Sequence, residues 1–171
     1  MSSTLLLVVA VAAVIGLLSV SAFFSSSETA VFSLPREWIE RQAETEDRRA
    51  GVLKDLHDDS HRLLVTLLVG NNVVNIAISS IVTVVVAGYL PAGPAVVATT
   101  VLTSVLVLIF GEIVPKAYGL GNNERWALTV ATPISIVERV LSPLITVFDV
   151  VTRRMNALIP VDGDIEKPYL D

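Results

Sequence analysis

From Leu63 to Gly111 the chain carries no charged side chain, and a second uncharged stretch runs from Thr4 to Ser27. Backbone amides in hydrocarbon have no water to bond, so segments of this kind are stable only as helices that satisfy their own backbone. A composition that is 53% apolar, with mean hydropathy +0.69, likewise excludes an ordinary soluble domain. Leu63–Ala87 would form about 37 Å of helix, enough for a hydrocarbon core of about 30 Å. The sequence GYLPAGP (88–94) then breaks the run with glycine and proline, and a third span starts at Ala95 and ends in FGEIVPK (110–116).

Charge sets the expected orientation. The 12 Lys and Arg residues fall within Arg36–Arg62 and Lys116–Lys167, with none before Arg36 or in the 88–94 turn. By the positive-inside tendency, the N-terminus and that turn face outward, and the two basic regions face the cytoplasm. The expected location is the plasma membrane, multi-pass. A cleavable signal ending at Val20-Ser21-Ala22 would need a basic n-region, which the chain lacks. A further apolar stretch, Trp126–Phe148, contains Glu138, Arg139, Pro133 and Pro143. Crossing there would strand Arg153, Arg154 and Lys167 outside, so the expectation is an amphipathic juxtamembrane helix on the cytoplasmic face. The polar stretch 35–61 reads as helix-rich, beginning after Pro35 and ending near the capping candidates Asp58, Asp59 and Ser60.

Several functions are disfavoured. Without cysteine there are no disulfides, thiol nucleophiles or cysteine metal sites. His57 and His61 both lie in the polar stretch, which argues against a histidine zinc centre. A net charge of −5 without a basic aromatic patch argues against nucleic acid. No nucleophile–base pair lies within a span, so an enzyme is not expected.

Polar residues inside spans are costly and point to function. They occur as SSSETA (25–30), GNNVVN (70–75) and FGEIVPK. Asn71 and Asn75 share a helix face, as do Glu112 and Lys116. Pro115 cannot donate to the Gly111 carbonyl and so leaves that oxygen free. At about 1.5 Å per residue, Asn71 and Glu112 both lie about 26 Å below the outer turn. Ser25 lies about as far from Arg36 as Asn71 does from Arg62. Serine hydroxyls, asparagine carbonyls, a freed backbone carbonyl and one carboxylate are hard donors, suited to magnesium, sodium or calcium. The bland readings are close helix packing, hydrogen bonds between helices and a simple Glu112–Lys116 pair.

The three motifs, in this order on three spans, resemble the transmembrane domain of the cyclin M and CorC family of magnesium transporters. GEIVPK is their most specific part, and the likeness covers about residues 4–160. The resemblance implies an all-α membrane protein: three transmembrane helices, a short cytoplasmic helical hairpin and the juxtamembrane helix, assembled as a homodimer. It also implies magnesium as the transported ion, exported by alternating access with sodium entry as the driving force. Rival readings are a non-transporting magnesium-sensing scaffold and a sodium-binding exchanger for another substrate. The implied ion site draws on Ser25 with Ser26 or Ser27, on Asn71 and Asn75, and on Glu112 beside Gly111. Glu28 is expected as a helix-end partner, with Lys116 among its candidates. Residues 1–160 would form the transporter domain and 161–171 the start of a linker toward cytoplasmic nucleotide-binding domains.

Overall fold

The computed structural model describes residues 3–158, and every element in it is helical. The expected linker, 161–171, lies outside the described residues. Helix α1 (Ser3–Phe32) is followed by the short α2 (Arg36–Ala43) and α3 (Arg48–Asp58). Two long passages come next: α4 (Ser60–Ala87), then α5 (Ala92–Leu106), which continues through a π-helical segment (Val107–Ile113) into α6 (Val114–Gly121). The last element is α7 (Asn123–Leu158). Four helical stretches are long and apolar enough to cross a membrane: Thr4–Phe32, Ser60–Ala87, Ala92–Gly121 and Asn123–Phe148. The sequence reading sets the last of these aside on its charges.

Local chemistry explains the boundaries. Pro35, extended at φ −64° and ψ 140°, opens α2. The Asp47 carboxylate accepts the Arg49 N–H at 2.9 Å and caps α3, and Asp59 accepts the Arg62 N–H at 3.3 Å to cap α4. The π segment precedes Pro115, where a proline ring would clash with the backbone one α-turn earlier. A widened turn relieves that clash, and the Val114 N–H reaches back to the Ile109 carbonyl.

Helix α1 is the hub, packing against α4, the π segment, α6 and α7. Against α6 the approach is so close that a Cβ on Gly119 would collide with the Ser26 carbonyl. Only a glycine fits there, the usual means by which membrane helices come within backbone contact. Helix α7 buries Ala127, Val130, Ala131 and Ile134, one face at helical spacing, in a cluster with Val31, Leu53 and Leu63. Polar ties fix it further. The Trp126 indole N–H donates to Ser26 Oγ at 3.0 Å, and Asn123 Nδ2 donates to Ser33 Oγ at 3.2 Å. Arg62, at the start of α4, bonds Glu138 at 2.6 Å and Ser142 at 2.8 Å.

Helices α2 and α3 pack on each other and carry exposed ion pairs. The Asp47 carboxyl is held below its ordinary 3.8, chiefly by hydrogen bonds from Arg49. Asp58 is likewise lowered, chiefly by its hydrogen bond from Lys54. A carboxyl lowered in the folded state stabilises fully above its unfolded value and loses that contribution as pH falls through the folded one. Protection of the first α3 amides should therefore be flat between about pH 5 and 8 and weaken below about pH 4. Hydrogen exchange corrected for intrinsic rates would show this, and a loss already near neutrality would assign control to other groups. In thermal unfolding, Gly119→Ala should cost about 1–3 kcal/mol through overpacking. Gly121→Ala, with open space around its Cβ, should cost less; equal losses would contradict the backbone contact.

A candidate ion-binding centre

The buried polar centre begins with Ser21, fully buried on α1. Its hydroxyl lies 2.9 Å from Asn71 Oδ1 and 2.9 Å from Asn75 Oδ1, both on α4. The i, i+4 spacing makes this possible by stacking both amides on one face. From the third passage comes Gly111, whose added Cβ would stand 2.7 Å from Ser21 Oγ. Three chain segments therefore meet around one hydroxyl.

Proton bookkeeping gives this centre its chemistry. Ser21 has a single O–H, while two amide carbonyl oxygens converge on it. One turn further along α1, Ser25 Oγ is buried with no hydrogen-bond partner. Pro115 adds a backbone deficit, because residue 115 would close on Phe110 in a π turn or on Gly111 in an α turn, and proline closes on neither. Two amide oxygens thus share one O–H, while each asparagine keeps its NH2 and Ser25 its own O–H for other partners. The oxygens turned toward Ser21 are hard donors of the kind magnesium and sodium take, so a cation or its waters can bond them.

The other expected residues separate. Ser26 turns to its own helix, donating toward the Ala22 carbonyl at 2.7 Å and accepting from Trp126. Ser27 Oγ is buried without a partner, but two residues round from Ser25 it stands on another face, about 200° away. Glu112 is partly buried and makes no hydrogen bond or ion pair with a described residue. Lys116 does not pair with it; it bonds Glu28 across to α1 at 3.2 Å. Sequence reasoning passes over Ser21. It lies four residues before Ser25, so a face-by-face reading of α1 offers the signal. Among the described residues no three His, Cys, Asp or Glu side chains cluster, so any cation here rests mainly on neutral oxygens.

Fold and centre together define a multi-pass helical membrane domain built around an internal oxygen cluster. The sequence profile of the Cyclin M transmembrane N-terminal domain matches residues 12–171, and the chain belongs to that family, CNNM. It is 33% identical over 147 residues to the UPF0053 inner membrane protein YfjD of Escherichia coli, covering 85% of this chain and 34% of that protein. A chloroplastic DUF21 domain-containing protein of Arabidopsis thaliana is 32% identical over 154 residues, covering 90% of this chain and 23% of the relative. A UPF0053 protein of Synechocystis is 28% identical over 162 residues, covering 94% of this chain and 46% of the relative. The chain thus spans less than half the length of these relatives.

The contact between Gly111 and Ser21 is testable by a double-mutant cycle. Gly111→Ala alone should destabilise, because its Cβ meets Ser21 Oγ at 2.7 Å. In Ser21→Ala that oxygen is gone and the nearest atom is Cβ at 3.4 Å, an ordinary contact. The pair should show a favourable coupling of about 0.5–3 kcal/mol in thermal unfolding. Additive effects would separate the π segment from Ser21.

Proposed function

We propose that this domain exports magnesium across the membrane by alternating access, with sodium entry as the driving force. The observation that carries the proposal is the oxygen cluster of Ser21, Asn71 and Asn75. Beside it stand the unpartnered Ser25 hydroxyl and the carbonyls near Gly111 to which Pro115 has no N–H to give. Glu112, the residue after Gly111, supplies the carboxylate that offsets half of a divalent charge. A cation entering from the cytoplasm would exchange part of its water for these oxygens and leave outward as the helices rearrange. Because magnesium gives up water reluctantly, some ligands in the bound state are expected to be waters. Membership in the CNNM family agrees with a transporter-like membrane domain.

The topology we favour has three crossings, with α7 lying along the cytoplasmic face and the α2–α3 pair below the membrane. Its support is the Arg62–Glu138 pair. If α7 rose through the bilayer from Asn123, Glu138 would stand about 22 Å higher, beside the outer half of α4. It instead bonds Arg62, within the first turn of α4. The confinement of every Lys and Arg to 36–62 and 116–167 supports the same reading. The apolar outer faces of α1, α4 and α5 suit lipid and a second copy in a homodimer, with nucleotide-binding domains following in the whole protein.

Glu112→Gln should lower magnesium flux into proteoliposomes at least tenfold, about 1.4 kcal/mol of lost stabilisation along the path, while leaving the thermal midpoint nearly unchanged. Flux equal to wild type would remove Glu112 from the ion path. Magnesium binding by the wild type without any flux would favour the sensing scaffold.

A further inference from the structure

Among the described residues four buried side-chain oxygens lack a hydrogen-bond partner: Ser25, Ser27, Thr99 and Thr103. The first two belong to the α1 motif. The threonines lie on α5, outward of the centre. A hydroxyl inside a membrane helix ordinarily donates to the carbonyl four residues back, and Thr100, the neighbour of Thr99, does so to Val96 at 2.9 Å. Thr99, only 6% exposed, and Thr103 do not use this outlet. They are buried polar groups with unspent bonding capacity.

Their surroundings are set by the hairpin of α4 and α5. Outside its own continuation, α5 makes its substantial contacts with α4, where Ala95 and Thr99 are buried and Thr103 is partly buried with its Oγ covered. Asn75 bonds Ser21, and Ser21 stands beside Gly111, so the centre lies at the depth of Gly111, eight residues along the chain from Thr103 and twelve from Thr99. Relative to Gly111, the two threonines lie about 12 and 18 Å outward.

We propose that Thr99 and Thr103, on the side of α5 packed against α4, form an outer station at which the departing cation regains its water. Neutral hydroxyls without a carboxylate are too weak to strip magnesium of tightly held water. They are well suited to hydrogen-bond the waters of an ion that is regaining them. The station rests on the transport reading for its role and ligand, and on the two unpartnered hydroxyls for its place. In the conformation seen here α4 covers it, so it fills with water when α4 and α5 part.

The absence of native cysteine makes the test clean. Thr99→Cys and Thr103→Cys are placed in proteoliposomes beside Val97→Cys and Val101→Cys, whose parent residues are 64% and 59% exposed on the outer face of α5. A small, charged methanethiosulfonate reagent is added on both sides. Such reagents need a thiolate, and a thiolate needs water, so the thiols introduced at positions 99 and 103 should react roughly tenfold faster than the lipid-facing pair. Saturating magnesium should slow them. Reaction at 99 and 103 no faster than at 97 and 101, in variants that keep the wild-type thermal midpoint, would overturn the station. Should one variant fold poorly, the other carries the comparison, and Thr99→Val or Thr103→Val with slowed magnesium efflux but unchanged binding would support it. Wild-type flux in the same vesicles is read separately. A wild type without flux but with fast, magnesium-sensitive labelling would sink the transport reading and leave the hydrated station standing.

Discussion

The structure turns on one hydroxyl facing two amide oxygens. Ser21 can give its proton to Asn71 or Asn75, but not fully to both. Such a centre is a poor way to glue helices together, since a donor–acceptor match would do that better. It is a good way to hold positive charge. Much of the remaining architecture serves to assemble it. Two asparagines one turn apart present their carbonyls together, and a glycine at 111 leaves Ser21 room. A proline at 115 withholds the amide that would otherwise quench a carbonyl in the π segment.

The same helices are clamped at the C-terminal end of α1 and the N-terminal end of α4. Helix α7 holds α1 through Trp126–Ser26 and Asn123–Ser33, and holds α4 through Arg62–Glu138 and Arg62–Ser142. Those are the two helices that contribute Ser21 and the asparagines. The α3 helix packs on α7 as well, so the polar segment between α1 and α4 is mechanically continuous with the centre. Ser26 illustrates how one serine motif divides its labour. Its hydroxyl serves the clamp, while Ser25, one residue earlier, keeps an unspent oxygen beside the centre.

Much of this was legible in the sequence, and the part that was not has a definite cause. Uncharged runs, the break at 88–94 and the caps at Pro35 and Asp59 announced the helices, because hydrocarbon and helix ends impose strict local chemistry. The asparagine pair also followed from spacing, whereas spacing alone matched Lys116 with Glu112 and the structure pairs it with Glu28, for which it was one of two expected partners. The register between α1 and α4 was misjudged by one turn, since it was counted from the charges Arg36 and Arg62. Helix ends set it instead. Ser21 is eleven residues before Phe32, and Asn71 is eleven after Ser60, which brings those two together and leaves Ser25 a turn inward. The Trp126–Ser26 bond spans a hundred residues of sequence and depends on how α7 folds back, which no local pattern encodes. Length and hydropathy could not decide the role of α7 either, since it satisfies both while its Glu138 pairs at the N-terminal end of α4.

The central claim is that oxygens from three helical passages share one largely dehydrated cation, and anomalous diffraction on crystals grown with manganese, a scatterer of similar preference to magnesium, tests it most directly. The account predicts a single strong peak among Ser21, Asn71, Asn75 and the carbonyls near Gly111, with ligand oxygens at about 2.0–2.4 Å. A peak confined to the acidic side chains of residues 37–59, with Ser21 still bonded between empty asparagines, would contradict it.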